Sequence, residues 1–402
     1  MSNRNGVWSL IAQYQAIADT DWTMAPGAPT GLSTSVGSEQ VTVSFTAPSF
    51  TGIPAGITEF KVTSSEGDTA TGSSSPITVT GLTNGTAHTF TVQAQNAVGL
   101  GAGATTSSVT PQLQRMLIKQ GTNNAIHKVD IPTTGNSSDY GDLNVATYHI
   151  GAMGNSSRTI FVGGSVGGDS KDHIQFKDPA SSGNCSDFGD LTTGRNYCSG
   201  LSNSTRGIAC SGKTDGGQDN SDVIDYVTIG STGNATDFGD MTAGYRKART
   251  GASPTRGIIA AGYSTQGATG RTIMYITIAS AGNATDFGDL TSGGLDGGDN
   301  YGAACSSSTR MVIGSSASSK KIDYITIAST GDAQDFGDLS AASRGGMCAA
   351  SSETSGVFCG GSTNVIDYVT IASTGNASDF GDSTQSSHYS GGAASSAHGG
   401  LQ

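Results

Sequence analysis

The sequence has little charge, few aromatic residues and no long apolar run. Charged residues make up 13% of its 402 residues and aromatic residues 6%, and the net charge is −12. No segment approaches the roughly 18 apolar residues of a membrane-spanning helix. No basic run offers a surface for nucleic acid or an anionic membrane. We therefore expect neither membrane insertion nor nucleic-acid binding. The N-terminal residues, which hold one basic residue and no long apolar core, do not predict a secretory signal peptide.

The residue patterns of common metal and catalytic sites are also missing. The six cysteines form no CxxC pair, and the six histidines never fall at zinc-ligand spacing. No Ser/His/Asp or Cys/His set is expected to come together, so we predict that the protein is not an enzyme and uses no cofactor or metal. The repeated Asp-x-x-Asp pairs supply too few oxygens for calcium, which is disfavoured but left open.

The cysteines have two readings. Buried free thiols are favoured, because cysteine is a good small hydrophobe in a packed sheet. The alternative is pairing across neighbouring strands, since Cys198/Cys210 and Cys348/Cys359 recur at nearly the same separation.

What the chain has in abundance is glycine, with 60 residues, and short runs of Val, Ile, Tyr and Phe between Gly/Ser clusters. This pattern is typical of many short strands joined by tight turns. We predict an all-β protein of three parts: an N-terminal anchor segment (1–24), a first domain (25–112) and a repeat domain (113–402).

Residues 1–24 combine apolar side chains at roughly helical spacing with two tryptophans that are costly to leave in water. The segment either folds back on the next domain or anchors the chain to another protein. The candidate anchor residues are Val7, Trp8, Leu10, Ile11, Tyr14 and Trp22.

Residues 26–111 alternate apolar and polar positions in runs separated by Gly, Pro, Asn and Ser, as in a sandwich of about seven strands. The stretch resembles a fibronectin type III domain through Pro29 with Leu32, VTVSFTAP (41–48), GLTNGT (81–86) and FTVQAQNAVGLG (90–101). Phe45 stands where that family often has a buried tryptophan, and His88 where it has a corner tyrosine. The resemblance implies a spacer domain.

From about residue 113 the chain repeats itself. The marker Asp-(Phe/Tyr)-Gly-Asp begins at Asp139, Asp187, Asp237, Asp286, Asp335 and Asp379, at steps of 48, 50, 49, 49 and 44 residues. The third copy predicts four strands, at 196–203, 205–212, 223–230 and 237–242. Four strands and a period near 50 residues favour propeller blades over solenoid coils. We therefore predict a six-bladed β-propeller.

The repeat resembles Kelch repeats in its double glycine, third-strand tyrosine and following aromatic residue. Gly163-Gly164 and Gly360-Gly361 match the double glycine, and Tyr226, Tyr324 and Tyr368 match the tyrosine. Other copies carry CSG, AAG or IGS instead, so the domain is Kelch-like. In the marker we expect the aromatic residue to pack between blades and Gly-Asp to make a turn.

The two ends of the repeat domain complement each other. RMLIKQG (115–121) corresponds to a second strand and YSGGAAS (389–395) to a first strand, so both ends are expected to build one blade and remove a free edge. Five Asn-x-Ser/Thr sequons lie in the repeated turn before the marker, where asparagine is read as a turn residue rather than a glycosylation site.

Tyrosines recur at the entrance to the innermost strand, two of them with an adjacent histidine. Such aromatic faces with polar neighbours suit sugar rings, although packing at the blade roots explains them as well. The candidate glycan-contact residues are Tyr148, His149, Tyr197, Tyr301, His388 and Tyr389.

The whole arrangement is similar to structural proteins of tailed phages, notably marine or cyanophage-like ones, through GVWSLIAQYQAI (6–17) and the repeated pattern seen at 366–381. The resemblance implies a virion appendage of the tail, neck or capsid surface. Residues 1–24 would bind other virion proteins, and the propeller would contact a host-surface glycan or protein. The alternatives are a decoration protein without a receptor and a propeller-based glycan-active enzyme. The oligomeric state stays open, with a homo-oligomer as one option.

Overall fold

The computed structural model describes residues 23–215, 220–260, 262–264, 270–291, 302–315, 319–342, 344–361, 363–384 and 391–401. The chain divides after Leu113 into two compact units. The described residues contain strands and one short 3-10 turn, which confirms the all-β prediction. None of their helical segments is long and apolar enough to cross a membrane. The candidate anchor residues lie outside the described part of the chain.

The first unit is a sandwich of two antiparallel sheets with strand orders β1-β2-β5 and β4-β3-β6-β7. Its strands are β1 (Thr30–Gly37), β2 (Gln40–Thr46), β3 (Glu59–Ser64), β4 (Thr69–Gly72), β5 (Ile77–Thr80), β6 (Phe90–Asn96) and β7 (Gly99–Thr105). Alternate residues of β2, β3 and β6 are buried, so each of these strands turns one apolar face to the core.

The second unit contains six four-stranded antiparallel sheets, numbered 1 to 6 in chain order. Sheet 1 has β8 (Arg115–Lys119), β9 (Ala125–Asp130) and β10 (Ser138–Asp142). Sheet 2 has β11 (Gly151–Gly154), β12 (Thr159–Val162), β15 (His173–Lys177) and β16 (Ser186–Asp190), with a small hairpin of β13 (Ser165–Val166) and β14 (Asp169–Ser170). Sheet 3 has β17 (Ser199–Ser202), β18 (Arg206–Cys210), β19 (Val223–Thr228) and β20 (Thr236–Asp240). Sheet 4 has β21 (Arg249–Ala252), β22 (Arg256–Ala260), β23 (Thr272–Thr277) and β24 (Thr285–Asp289).

The remaining strands complete the set. Sheet 5 has β25 (Ala303–Ser306), β26 (Arg310–Gly314), β27 (Lys321–Thr326) and β28 (Gln334–Asp338). Sheet 6 has β29 (Met347–Ser351), β30 (Ser355–Gly360), β31 (Val365–Thr370) and β32 (Ser378–Asp382). The C-terminal strand β33 (Gly392–Ser395) pairs with β8 in sheet 1, from Gly392↔Lys119 to Ser395↔Met116. Both ends of the repeat domain therefore build one sheet, as the sequence predicts.

The six sheets follow one another in cyclic order. The first strand of each sheet lies beside the first strand of the next, and β33 lies beside both β29 and β11. Apolar clusters fill the spaces between successive sheets, and one of them joins sheet 6 to sheet 1 through Val357 and Phe380 against Met116 and Ile118. The core of this unit is thus divided among six interfaces between sheets.

The marker motif links each sheet to the next. In sheet 3, the backbone carbonyl of Phe188 from the preceding sheet accepts a hydrogen bond from Gly233 N at 2.7 Å, and Asp190 N donates to Asn234 Oδ1 at 3.1 Å. The same pair of contacts joins sheet 6 to sheet 1, where Asp382 N donates to Asn136 Oδ1 at 2.9 Å. The sequon asparagines are therefore used in contacts between sheets.

The expectation that Gly-Asp of the marker makes a turn is wrong. In the third repeat both residues lie within β20, opposite a register irregularity between Ile224 and Asp225. The glycine is needed because a Cβ on Gly239 would lie 2.6 Å from the carbonyl carbon of Gly282 in the next sheet, and its φ is 140°. A close approach between sheets, not a local reversal, selects glycine here.

Four sheets share an arginine that the sequence analysis overlooked. Arg206 lies over the Tyr226 ring at 4.7 Å and its Nη1 donates to the carbonyl of Ile278 in the next sheet at 2.9 Å. The equivalent arginines are Arg158, Arg256 and Arg310, each with an aromatic ring and a carbonyl of the next sheet. Each one joins a cation–π contact to a charge-assisted hydrogen bond between sheets.

Candidate ligand-binding site

The first strands of the six sheets line one narrow channel. It is lined by small residues, one from the middle of each strand: Ala152, Gly200, Thr250, Ala304, Ala349 and Ala393. Two cavities of about 70 Å³ each lie along it. Pockets that bury a drug-sized ligand measure roughly 300 Å³ or more. The channel therefore has room for water or a small group, and a sugar ring would have to bind at a mouth.

One mouth, where the first strands end, is occupied by the C-terminal segment. His398 Nε2 lies 2.9 Å from the carbonyl oxygen of Gly154 and 3.1 Å from Ser202 Oγ. The 3-10 turn Gly399–Leu401 follows, and a Cβ on Gly399 would overlap the backbone of Ser307. The segment thus touches first strands of sheets 2 and 3 and the residue after the first strand of sheet 5.

At the opposite mouth the chain enters the first strands of sheets 2, 3 and 4 through a bulky residue in the left-handed conformation. His149, Tyr197 and Lys247, each two residues before β11, β17 or β21, have φ values of 60°, 57° and 61°. Tyr197 N donates to the His149 carbonyl at 2.7 Å, and Lys247 N donates to the Tyr197 carbonyl at 3.0 Å. The three residues follow one another around this mouth, which we call the entry mouth.

Aromatic rings and cations stack at the entry mouth. The His149 ring centroid lies 3.9 Å from that of Tyr197 and 4.9 Å from that of Tyr148. Lys247 Nζ lies 4.1 Å from the Tyr197 centroid, and the Arg246 guanidinium lies 4.4 Å from the Tyr263 centroid. Rings stacked with cations in this way offer both apolar faces and hydrogen-bond donors.

The electrostatics of the entry mouth are positive. Burial, reinforced by the charges of Lys247, Arg246 and Lys119, lowers the pKa of His149 to about 3, so its imidazole is neutral at pH 7. Burial also lowers the pKa of Lys119 to about 8, and its Nζ donates to the carbonyls of Gln120 and Gly121. Within a chain of net charge −12, this mouth gathers cations.

The structure brings together three of the six candidate glycan-contact residues, Tyr148, His149 and Tyr197. Tyr301, His388 and Tyr389 lie outside the described residues. The tyrosines also differ in position, because Tyr148 occupies the bridge position of Asn196 and Arg246, whereas Tyr197 matches His149.

Sequence reasoning missed three cations and a tyrosine of this region: Arg246, Lys247, Arg249 and Tyr263. A signal was present, since residues 246–249 hold three cations in four positions. A Gly-x-Ser-x-Gly string at 163–167 was also overlooked. It is not a strand-to-helix nucleophile elbow, because Ser165 belongs to hairpin strand β13 and its Oγ accepts a hydrogen bond from Asn196 Nδ2 at 2.8 Å.

All six cysteines are buried free thiols, as favoured from the sequence. Cys348 faces Cys359 across β29 and β30, whereas Cys198 precedes β17 and Ser199 is the residue opposite Cys210. Two groups among the described residues have the ligand types for a metal ion: Asp172, His173 and Asp190, and Glu66, Asp68 and His88. The first is half-exposed, with His173 Nδ1 3.9 Å from an Asp190 oxygen.

The comparison with protein families decides the identity of the first unit. Residues 27–110 match the family model of the fibronectin type III domain. These residues form a fibronectin type III domain. None of the curated proteins matches the chain.

The two departures of this fibronectin type III domain have different consequences. Phe45 is buried and its ring centroid lies 4.9 Å from that of Phe60, so the ring still fills the core. His88 is 1% exposed, and neither ring nitrogen finds a hydrogen-bond partner among the described residues. The corner hydrogen bond expected of a tyrosine is therefore not replaced by an imidazole one.

Proposed function

We propose that residues 113–402 form a six-bladed Kelch-like β-propeller whose entry mouth binds a host-surface glycan. In this proposal the protein is a virion appendage of a tailed, marine or cyanophage-like phage. Residues 1–24 dock on other virion proteins, the fibronectin type III domain is a spacer, and the propeller is displayed on the particle surface. The protein acts by attachment, with no catalytic step.

The propeller is supported by six four-stranded sheets whose first strands are cyclic neighbours. Apolar clusters lie between successive sheets, including sheets 6 and 1. The Kelch-like character is supported by the left-handed glycine pairs Gly163-Gly164 and Gly360-Gly361 at the ends of second strands. It is also supported by the tyrosines of β19, β27 and β31, which pack edge-on against the marker phenylalanines.

The observation that carries glycan binding is the backbone conformation of His149, Tyr197 and Lys247. A left-handed conformation costs a bulky residue on the order of 1 kcal/mol, and such strain persists mostly at functional sites. Gly346 occupies the corresponding place before β29 with φ 86°, so the fold accepts glycine there. The chain instead places two rings and a cation at the mouth, which favours a role for the side chains.

The chemistry of these side chains fits a sugar. A pyranose ring presents C–H groups on its faces and hydroxyls at its edge, which suits an aromatic face flanked by donors. Tyr148 and Tyr197 supply aromatic rings beside His149, and Lys247 and Arg246 supply donors. The small volume of the channel favours a sugar ring that binds on the mouth and not inside it.

The test measures binding of the purified chain to arrayed bacterial envelope polysaccharides and to a host-envelope fraction. Tyr197→Asn removes the ring while keeping a residue that tolerates a left-handed backbone, and we expect at least a tenfold loss of affinity. Tyr226→Asn, the same change in β19 of the same sheet, is the matched control and should leave binding intact, with folding of both variants checked by circular dichroism. Equal binding by Tyr197→Asn and the wild type would contradict the glycan proposal and favour a decoration protein.

Docking is tested separately with emptied phage particles. A chain without residues 1–24 should lose binding to the particles and keep binding to the polysaccharide. Release of sugar fragments by the intact chain would instead support the glycan-active enzyme. If particle binding survives the deletion, residues 1–24 are not the anchor.

A further inference from the structure

The segment 246–249 places three cations at and just below the entry mouth. Arg246 stacks on Tyr263, and Lys247 lies over Tyr197. Arg249 begins β21 and lines the cavity of the channel that lies nearer the entry mouth, which we call the upper cavity. The segment is thus a short basic column that runs from the mouth into the channel wall.

Arg249 differs from the other buried arginines of this unit. Arg195 and Arg344 are fully buried and are paired with Asp225 and Asp367, at 3.1 and 2.6 Å. Arg249 is 3% exposed, and its Nε and Nη2 find no hydrogen-bond acceptor among the described residues, as is also true of Arg195 Nε and Nη1. Unlike Arg195, however, Arg249 forms no ion pair with a described carboxylate. Buried donors of a charged group are costly to leave unsatisfied.

The acid that acts on Arg249, Asp323, is already engaged in hydrogen bonds. Asp323 opposes the effect of burial on the pKa of Arg249, so it offsets part of the positive charge. Its oxygens, however, accept hydrogen bonds from Thr291 Oγ1 at 2.7 Å and Thr291 N at 3.1 Å. Asp323 thus leaves Nε and Nη2 of Arg249 without an acceptor among the described residues, in a side chain that lines the cavity.

We propose that the entry mouth selects acidic sugars, whose carboxylate or sulfate group enters the upper cavity and binds Arg249. This inference rests on the proposed glycan-binding function and names the class of glycan. A cavity of about 70 Å³ accepts a small anionic group but not a pyranose ring, so the ring stays on Tyr148 and Tyr197. Arg246 and Lys247 attract the anion from solvent, and the guanidinium of Arg249 matches a planar carboxylate.

The test compares each acidic polysaccharide with its neutral counterpart. Polygalacturonate is paired with its carboxyl-reduced form, and a sulfated galactan with its desulfated form, in titrations of the intact chain at 50 and 500 mM salt. We expect the acidic form of at least one pair to bind at least tenfold tighter, and this preference to shrink at high salt. Which pair shows the preference separates carboxylate from sulfate.

Two variants localise the preference. Arg249→Gln removes the buried cation, and Lys247→Asn removes the mouth cation while keeping a residue that tolerates φ 61°. Both should lose the preference for the acidic form. Arg158→Gln, just before β12, changes an arginine that lies over Phe176 and does not line the channel cavities, and it should keep the preference.

The two proposals fail in different ways. Equal affinity for acidic and neutral forms would overturn the selection of anions and leave glycan binding standing. An acidic preference that survives in both variants would overturn the assignment to this mouth. Binding of no polysaccharide, acidic or neutral, would overturn the glycan proposal itself.

Discussion

His149, Tyr197 and Lys247 occupy a backbone conformation that glycine adopts without strain, and Gly346 shows glycine in the same place. Their carbonyl and amide groups also join consecutive sheets, through bonds that any residue would make. It is therefore the bulky side chain that makes the left-handed backbone conformation energetically costly at each of these positions. Because the three occur in consecutive sheets, their strain is concentrated on one arc of the mouth, where rings and cations meet.

The titration of His149 gives a prediction for stability. Its folded pKa of about 3 lies below the usual value of 6.5, so the unfolded chain takes up a proton first as the pH falls. The contribution of neutral His149 to the free energy of unfolding is fully present above pH 6.5 and is lost as the pH falls toward 3. Between pH 6.5 and 5 we expect His149 to account for up to about 2 kcal/mol of lost unfolding free energy.

The measurement is the urea-unfolding free energy at pH 7, 6 and 5 for the wild type and His149→Asn. Asparagine tolerates the left-handed backbone and does not titrate, so the variant should have the shallower pH dependence. Burial also lowers the pKa of His127 and His398, but both are present in the two proteins and cancel in the difference. Identical slopes would show that His149 is not held neutral by its surroundings.

Residue-level prediction from the sequence worked where a residue type carried its own chemistry. Tyrosines and histidines before a strand are conspicuous, and Tyr148, His149 and Tyr197 do meet. Arg246 and Lys247 were missed because a basic pair normally means an exposed surface. Their importance comes from rings on neighbouring strands, which a single sequence does not place beside them.

At the scale of elements, the marker and the repeated turn are two halves of one contact. The marker lies in the last strand of one sheet, and the turn belongs to the next sheet. A glycine from each half allows the backbones to touch. The side-chain oxygen of an asparagine or aspartate in the turn accepts a hydrogen bond from the backbone amide of the second marker aspartate. The repeat therefore encodes the contact between sheets as well as the sheet itself.

Two glycines on either side of one such contact give a matched test. A Cβ on Gly239 would lie 2.6 Å from the backbone of Gly282, whereas a Cβ on Gly282 would meet nothing within 4 Å. Both residues have positive φ, at 140° and 159°, so both alanine variants carry backbone strain. We expect Gly239→Ala to lower the free energy of unfolding by about 2 kcal/mol more than Gly282→Ala, because only it forces the sheets apart.

The comparison uses chemical unfolding of both variants under the same conditions. Equal losses would mean that local backbone strain, and not the approach of the two sheets, selects the marker glycine.

Strand positions within the third repeat were predictable, since β17 to β20 lie inside or within one residue of the four predicted segments. The role of Gly-Asp was not, because the requirement for glycine comes from a neighbouring sheet and leaves no local turn signature.

For the whole repeat domain, the pairing of β33 with β8 joins residues near both ends of the unit. Ser395, at the end of β33, pairs with Met116 of β8. Next to this pair, Arg115 N donates a hydrogen bond to Ser396 Oγ at 3.1 Å. Without β33, strand β8 would present an unpaired edge and the spaces beside β11 and β29 would lose Ala393 and Ala394. The stability of sheets 1, 2 and 6 therefore depends in part on this strand.

Deleting residues 388–402 should lower the melting temperature of the repeat domain by on the order of 10 °C, because a strand, its ladder and two apolar interfaces are lost together. Deleting only residues 398–402 removes the segment at the mouth where the first strands end and keeps β33. The decrease in melting temperature should therefore be much smaller. Scanning calorimetry of the three chains separates these contributions. If both deletion variants had the same melting temperature, β33 would not be what holds the six sheets in cyclic order. The marker contacts alone, such as that of Asp382 with Asn136, would have to do so.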